Sequence, residues 1–130
     1  MSTKHHLATL QLAIMQVLWD RKEATVGDVR DALLPDRPLA YTTVSTMLSK
    51  MEQNGQVAHR NVGRMLVYRA AIRRDTVRKS MVTDLAVRLF RGDVTEMVSH
   101  LLDDCEVSTV ELSRLKSLIR EKETEMGDGS

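Results

Sequence analysis

The chain has 130 residues, a formal net charge of +1, 42% hydrophobic and 3% aromatic residues, and a single cysteine. One cysteine excludes an internal disulfide and favours a reducing compartment, which we expect to be the cytoplasm. No segment approaches the roughly 20 apolar residues that a membrane-spanning helix needs, so we expect a soluble protein with no membrane partner. The length suits one compact domain, or a small domain joined to an assembly element.

The charge is divided unevenly along the chain. Residues 36–80 contain nine basic and three acidic side chains, whereas residues 81–130 contain six basic and eleven acidic ones. This division suggests that the basic segment, residues 36–80, binds a polyanion. The acidic segment, residues 81–130, would then have a role that excludes polyanion binding. Uneven solvation of ordinary surfaces is the alternative that the charge alone leaves open.

Two helices are predicted in the first third of the chain. The first ends near Trp19 and has an apolar face formed by Leu7, Leu10, Ile14, Val17 and Leu18. The second begins after Thr25, which is a typical N-cap residue, and Asp28 three residues later favours the helix N-terminus. The sequence LPDRPLA ends this helix, because each proline disfavours helix in the residue before it.

A third helix is predicted within AYTTVSTMLSKMEQNG, residues 40–55, and Asn54–Gly55 is a common helix stop. Its apolar residues follow the i, i+3, i+4, i+7 spacing of a buried stripe: Val44, Met47, Leu48 and Met51. The opposite face carries serines and threonines, which have lower helix propensity than the residues usual at exposed positions. That cost indicates that the exposed face has a function.

After Gly55 the spacing becomes that of strands. VAHR (57–60) and MLVYRA (65–70) indicate two short strands around a turn at residues 61–64. Helix, turn, polar-faced helix and basic hairpin is the order of a winged helix-turn-helix, whose second helix enters the DNA major groove. Hydroxyl groups bond to bases and phosphates, and basic side chains suit phosphate or minor-groove contact. The predicted DNA-binding residues are Thr42, Ser45, Thr46, Ser49 and Lys50 of the helix, with Arg60 and Arg64 of the hairpin.

The remainder of the chain is predicted to be helical and amphipathic. Asp93 with Glu96, and Ser108 with Glu111, have the spacing of capping boxes ahead of apolar stripes. Short amphipathic helices cannot bury wide apolar stripes by themselves, and a second copy of the same chain is the commonest partner. We therefore expect a homodimer whose interface includes Leu85, Leu89, Val94, Met97, Val98, Leu101, Leu102, Leu112, Leu115 and Ile119.

The predicted fold is mainly α with a small β-hairpin wing. We expect a winged helix-turn-helix DNA-binding domain over residues 1–72 and a helical dimerisation region over residues 73–126. The last residues, 127–130, have the sequence GDGS and are predicted to form a disordered tail.

The sequence resembles the BlaI/MecI/CopY family of penicillinase-type transcriptional repressors. LQLAIMQVLWDRKEATVGDVRDAL contains the Leu18–Trp19 pair that ends the first helix in that family, and YTTV is similar to the family's opening of the recognition helix. The likeness continues through LFRGDVTEMVSHLLDDCEVSTVELSRLKSLI, so it covers nearly the whole chain. By this resemblance, Tyr41 and Thr43 join the predicted DNA-binding residues.

The resemblance implies a homodimeric repressor that occupies a pseudo-palindromic operator, leaves it on an inducing signal and has a role in antibiotic resistance. In the β-lactam-responsive branch, a membrane-bound sensor protease triggers cleavage within the dimerisation region. The corresponding bond here is His100–Leu101. The implied partners are double-stranded operator DNA, a second copy of the chain and a sensor protease.

Other functions are less well supported by the sequence. The copper-responsive branch of the family carries paired Cys-x-Cys motifs, whereas Cys105 stands alone here, so we expect no copper sensing and no other metal or cofactor. We do not expect an enzyme, because no nucleophile–base spacing, metal-ligand spacing or Gly-rich phosphate loop occurs. The alternative is a winged-helix protein–protein interaction module without DNA binding, which would not need nine basic residues within residues 36–80.

Overall fold

The computed structural model describes residues 7–129. Residues 1–6 of the predicted DNA-binding domain and Ser130 of the predicted tail lie outside the described residues. The elements are α1 (Thr9–Arg21), β1 (Ala24–Thr25), α2 (Val26–Leu33), α3 (Tyr41–Gln53), β2 (Val57–Val62), β3 (Met65–Ala70), α4 (Arg74–Phe90), α5 (Val94–Asp104) and α6 (Thr109–Gly129). The mainly helical fold with a small wing is confirmed. None of the helices in residues 7–129 is both long and apolar enough to cross a membrane.

The chain divides into two compact units, with the boundary after Asp84 and therefore inside α4. The sequence predicts the domain boundary at residue 72. The later position has a physical reason, since Val77 in the first half of α4 is buried in the core of the first unit and Met81 packs against that core.

The core of the first unit is aliphatic and comes from all of its helices. Along each helix, buried side chains recur at helical spacing, as an amphipathic helix requires. The largest fully buried side chains of the unit, with Val57 contributed by β2, are Ile14, Met15, Leu18, Val29, Val44, Leu48, Met51, Val57 and Val77.

Two local motifs set the ends of the helix pair α2–α3. The Thr25 hydroxyl accepts a hydrogen bond from the Asp28 backbone N–H at 3.1 Å, and the Thr25 N–H donates to the Asp28 carboxylate at 3.1 Å, which confirms the predicted N-cap. At the end of α3, Gln56 N–H donates to Met51 O, and Gly55, with φ of +78°, donates to Glu52 O. This is a Schellman motif, for which glycine avoids the strain that a side chain meets at positive φ.

The sheet has three antiparallel strands in the order β1-β3-β2, whereas the sequence predicted only the hairpin. The additional strand pairs Ala24 with Tyr68 and Thr25 with Val67. The predicted four-residue turn at 61–64 is also too long, because pairing continues to Val62 opposite Met65 and leaves a two-residue turn. Gly63 has φ of +60°, which suits the first position of such a turn.

The second unit contains the end of α4 with α5 and α6. The N-cap half of each predicted capping box is present: Glu96 N–H donates to Asp93 Oδ1, and Glu111 N–H donates to the Ser108 hydroxyl. Helix α6 continues to Gly129, so residues 127–129 of the predicted tail are helical in the structure. The helical backbone there continues the hydrogen-bonded turns of a 21-residue helix, which costs less than starting a new one.

Candidate nucleic-acid interface

Helix α3 has one face in the core and the other in solvent. Val44, Leu48 and Met51 are each 0% exposed, so the helix is held firmly against the first unit. Thr42 and Thr46 are exposed on the opposite side. The low-propensity side chains noted in the sequence are therefore on the surface, where they are free to contact a ligand.

The exposed stripe of α3 extends one turn beyond the predicted DNA-binding residues. Thr42, Thr46, Ser49 and Gln53 follow the spacing i, i+4, i+7, i+11, and all four are exposed. Gln53 was not among the predicted site residues, although the same spacing rule applied one turn further would have found it. We call these four residues the polar stripe of α3. A shallow groove with a volume of about 290 Å³ runs beside it and is lined in part by Lys50.

Three predicted residues lie at the edges of the exposed face. Ser45 is half-buried, so it does not share the full exposure of the polar stripe. Tyr41 is 51% exposed, and the guanidinium of Arg30 from α2 lies over its ring, 5.8 Å from the centroid. Thr43 is exposed on the other side and lines the groove beside Lys50.

The two arginines of the hairpin have different surroundings. Arg60 forms a two-pronged ion pair with Glu23, with Nε 2.7 Å from Oε2 and Nη2 3.1 Å from Oε1. This hydrogen bonding lowers the pKa of Glu23 and raises the pKa of Arg60, and the nearby charge of Arg69 also lowers the pKa of Glu23. Arg64 lies in the exposed hairpin turn and has no ion pair among the described residues. Arg64 is therefore free to meet a phosphate, whereas Arg60 is already paired with a carboxylate.

A contact joins the end of α3 to the wing. His59 of β2 places Nδ1 2.7 and 2.8 Å from the two carboxylate oxygens of Glu52, and its backbone N–H donates to Glu52 at 3.2 Å. The His59 ring also lies 5.5 Å from the ring of the buried Tyr68. These contacts hold the hairpin in a defined position beside α3.

The arrangement suits double-stranded DNA on geometric grounds. A helix of 13 residues whose exposed face carries short polar side chains fits the major groove, where hydroxyl and amide groups can bond to base edges. The hairpin beside it presents a free guanidinium suitable for the backbone. Within residues 7–129, no group of three or more His, Cys, Asp or Glu residues could hold a metal ion.

The predicted interface residues of the second unit remain largely exposed in the single chain. Val98, Met97 and Leu115 are half-buried. The other predicted residues are exposed: Leu85, Leu89, Val94, Leu101, Leu102, Leu112 and Ile119. Leu118, which is not among the predicted interface residues, is 60% exposed and lines the same apolar surface of α5 and α6.

The bond His100–Leu101 lies inside α5, and both of its residues are exposed. His100 Nδ1 is 3.5 Å from Asp104 Oδ2, and its ring is 5.4 Å from the ring of Phe90. A backbone in regular helix does not fit an extended protease cleft, so the surrounding turns must open before this bond can be cut.

Comparison with known proteins agrees with this geometry. The sequence profile of the family described as penicillinase repressor matches residues 7–121. Two curated relatives, each described as transcriptional regulator BlaI, come from Mycobacterium tuberculosis strains CDC 1551 / Oshkosh and ATCC 25618 / H37Rv. Each is 31% identical over 124 residues, covering 94% of this chain and 88% of the relative.

A solved structure supports the fold independently. A MarR family protein from Bacillus stearothermophilus superposes with a TM-score of 0.51, covering 95% of this chain and 77% of that one, at 19% identity. That likeness concerns the fold alone. The profile match and the BlaI relatives concern the sequence along nearly its whole length. The chain therefore belongs to the penicillinase repressor family, and with its winged-helix fold it is a transcriptional regulator and not an enzyme.

Proposed function

We propose that the protein is a homodimeric repressor that binds a pseudo-palindromic operator with one winged unit on each half-site. The observation that carries this proposal is the polar stripe of α3, four exposed hydroxyl and amide side chains on a helix whose other face is fully buried. Such side chains read base edges in the major groove, and two-fold symmetry in a dimer matches two-fold symmetry in its site.

Within this proposal the residues have different roles. Thr42, Thr46, Ser49 and Gln53 face the bases, while Lys50 and Arg64 contact phosphates. Phosphate contacts position the protein and carry most of the salt dependence, whereas base contacts determine the preferred sequence. Ser45 and Tyr41 lie at the flank of the polar stripe, beside the sugar-phosphate backbone of the bound DNA.

The experiment that tests the function is a salt titration of binding to the duplex upstream of the protein's own gene. Each neutralised phosphate contributes about −0.9 to the slope of log affinity against log salt concentration, so a steep negative slope is expected. A slope near zero would favour the alternative of a protein–protein interaction module. Footprinting on the same duplex would then locate the operator.

The pairing of Glu23 with Arg60 predicts a mutation that raises DNA affinity, whereas most mutations in a DNA interface lower it. Glu23→Gln removes one negative charge and frees the Arg60 guanidinium for phosphate. We expect several-fold tighter binding to any duplex and a salt slope steeper by about one unit. Glu121→Gln on α6 makes the same change in net charge and serves as the control. Weaker binding by Glu23→Gln would instead mean that the carboxylate holds Arg60 in its DNA-binding position.

Dimerisation is proposed from the apolar surface of the second unit. A groove of about 360 Å³ along α5 and α6 is lined mainly by aliphatic side chains, including Leu102, Leu115 and Leu118, together with two lysines. Exposed apolar surfaces of this kind are usually covered by a partner. A second copy can cover it symmetrically, because the same surface is present on both chains.

We further propose that repression ends by cleavage of His100–Leu101 under the control of a sensor protease. Cutting this bond separates α6 from the winged unit and removes much of the apolar surface proposed for the dimer. Each winged unit would then bind its half-site without the gain in effective concentration that linkage provides.

Mass spectrometry of the protein from induced cells tests the cleavage proposal. We expect a fragment ending at His100 to accumulate as target transcripts rise. If only the full-length chain persists while those transcripts rise, cleavage is excluded as the means of induction.

A further inference from the structure

A cleft on the first unit lies between α1 and the first turns of α4, and the proposed DNA-binding residues do not line it. Its volume is about 420 Å³, within the range of roughly 300–1,000 Å³ typical of small-molecule sites. Apolar side chains contribute much of its lining, including Leu12, Val77 and Met81. The cleft therefore offers a site for an apolar group of limited size.

One wall of the cleft is held rigidly. The Trp19 indole N–H donates to the Ile72 carbonyl at 3.0 Å, which fixes the plane of the ring. The Arg74 guanidinium lies 5.5 Å from the Trp19 ring centroid and is in turn bound to Asp20 at 2.6 Å. A wall with few alternative rotamers loses little conformational entropy when a ligand binds against it.

Among residues 7–129, the charges at the cleft leave one cation of its lining without an ion-pair partner. Asp20 compensates Arg74. Arg78, one turn further along α4, also lines the cleft, is exposed and forms no ion pair with any residue of the described chain. A free guanidinium beside an apolar floor is complementary to a molecule with an apolar ring and a carboxylate, because guanidinium binds carboxylate through two parallel hydrogen bonds.

We propose that this cleft binds a small aromatic carboxylate, with the carboxylate on Arg78 and the ring on Leu12 and Met81 against the edge of Trp19. The site is independent of the proposed operator contacts, since none of its residues belongs to α3 or the hairpin. It also lies wholly within the first unit.

The chain carries its own reporter for this site, because Trp19 is its only tryptophan. The test is a titration of the full-length protein with 3-phenylpropanoate, followed by Trp19 fluorescence and by calorimetry. The neutral 3-phenylpropanamide has nearly the same shape and provides the ligand control. We expect a saturable change in fluorescence with the carboxylate at millimolar concentration or below, and about tenfold weaker binding of the amide.

Two variants give the protein control. Arg78→Gln should weaken the carboxylate about tenfold, whereas Lys79→Gln, an equal loss of charge at an exposed neighbour outside the cleft lining, should leave its affinity unchanged. Both positions are exposed, so neither variant should unfold the first unit. Equal binding of the acid and the amide, an equal effect of the two variants, or no saturable response would each overturn the proposal. If a second copy of the chain covers the cleft, the titration will show no saturable response.

Discussion

Replacing Thr46 with glutamate is expected to abolish specific operator binding while leaving the first unit folded. Thr46 lies in the middle of the polar stripe and is exposed, so the new carboxylate meets the phosphate-rich groove without disturbing the core. We expect a loss of about a hundredfold or more, since a base contact worth roughly 1–3 kcal/mol is replaced by repulsion. Thermal unfolding should occur at the same temperature or slightly higher, because Glu has better helix propensity than Thr.

The matched variant is Thr46→Val, which keeps the methyl group and the shape but removes the hydroxyl. Its affinity should fall between those of the wild-type and glutamate proteins if the hydroxyl bonds to a base or phosphate. Undiminished operator affinity in a folded Thr46→Glu protein would remove α3 from the interface. Melting curves and gel shifts on the same preparations separate loss of folding from loss of binding.

Replacing Ile119 with aspartate is expected to produce a monomer. Ile119 is 57% exposed in the single chain and lines the apolar groove of α5 and α6, so the substitution places a charge where the proposed partner must be apolar. Ile119 is a sharper choice than Leu115, which is half-buried within the same chain and whose replacement would disturb the second unit itself. Operator affinity should fall by roughly 10²–10⁴, the usual gain from linking two binding modules.

The control for this experiment is Ser117→Asp, which adds the same charge to the opposite side of α6. Sedimentation should show Ser117→Asp as a dimer and Ile119→Asp as a monomer at micromolar concentration. If the wild-type chain sediments as a monomer, no surface holds two copies together. If Ile119→Asp sediments as a dimer, another surface holds them.

The helices and their ends could be predicted because their determinants are local. Spacing alone marks a core face of Val44, Met47, Leu48 and Met51. The structure buries three of them and packs the half-buried Met47 against the same core. Thr25 with Asp28 identifies a helix start within four residues. Interactions of this range depend on backbone geometry that is nearly the same in every protein, so the sequence reveals them without knowledge of the rest of the fold.

The features that were missed depend on residues far apart in the chain. A strand of two residues has no periodicity, and β1 exists because β3 lies beside it. The ion pair of Glu23 with Arg60 arises only after the sheet brings α1's end near the hairpin. The exposure of Ser45 depends on how α3 is rotated against its neighbours, and spacing alone determines that rotation only to within about one residue.

The strand β1 has a consequence for the order in which the first unit folds. The hairpin and each helix form from residues close together in sequence, whereas joining Ala24 to Tyr68 must close a long loop that contains α2 and α3. Long loops carry an entropic cost that only later contacts repay, so β1 should pair with β3 after the helices have packed. The hairpin is then attached to a helix-turn-helix that has already packed. During synthesis, β1 has no strand to pair with until Tyr68 of β3 has left the ribosome.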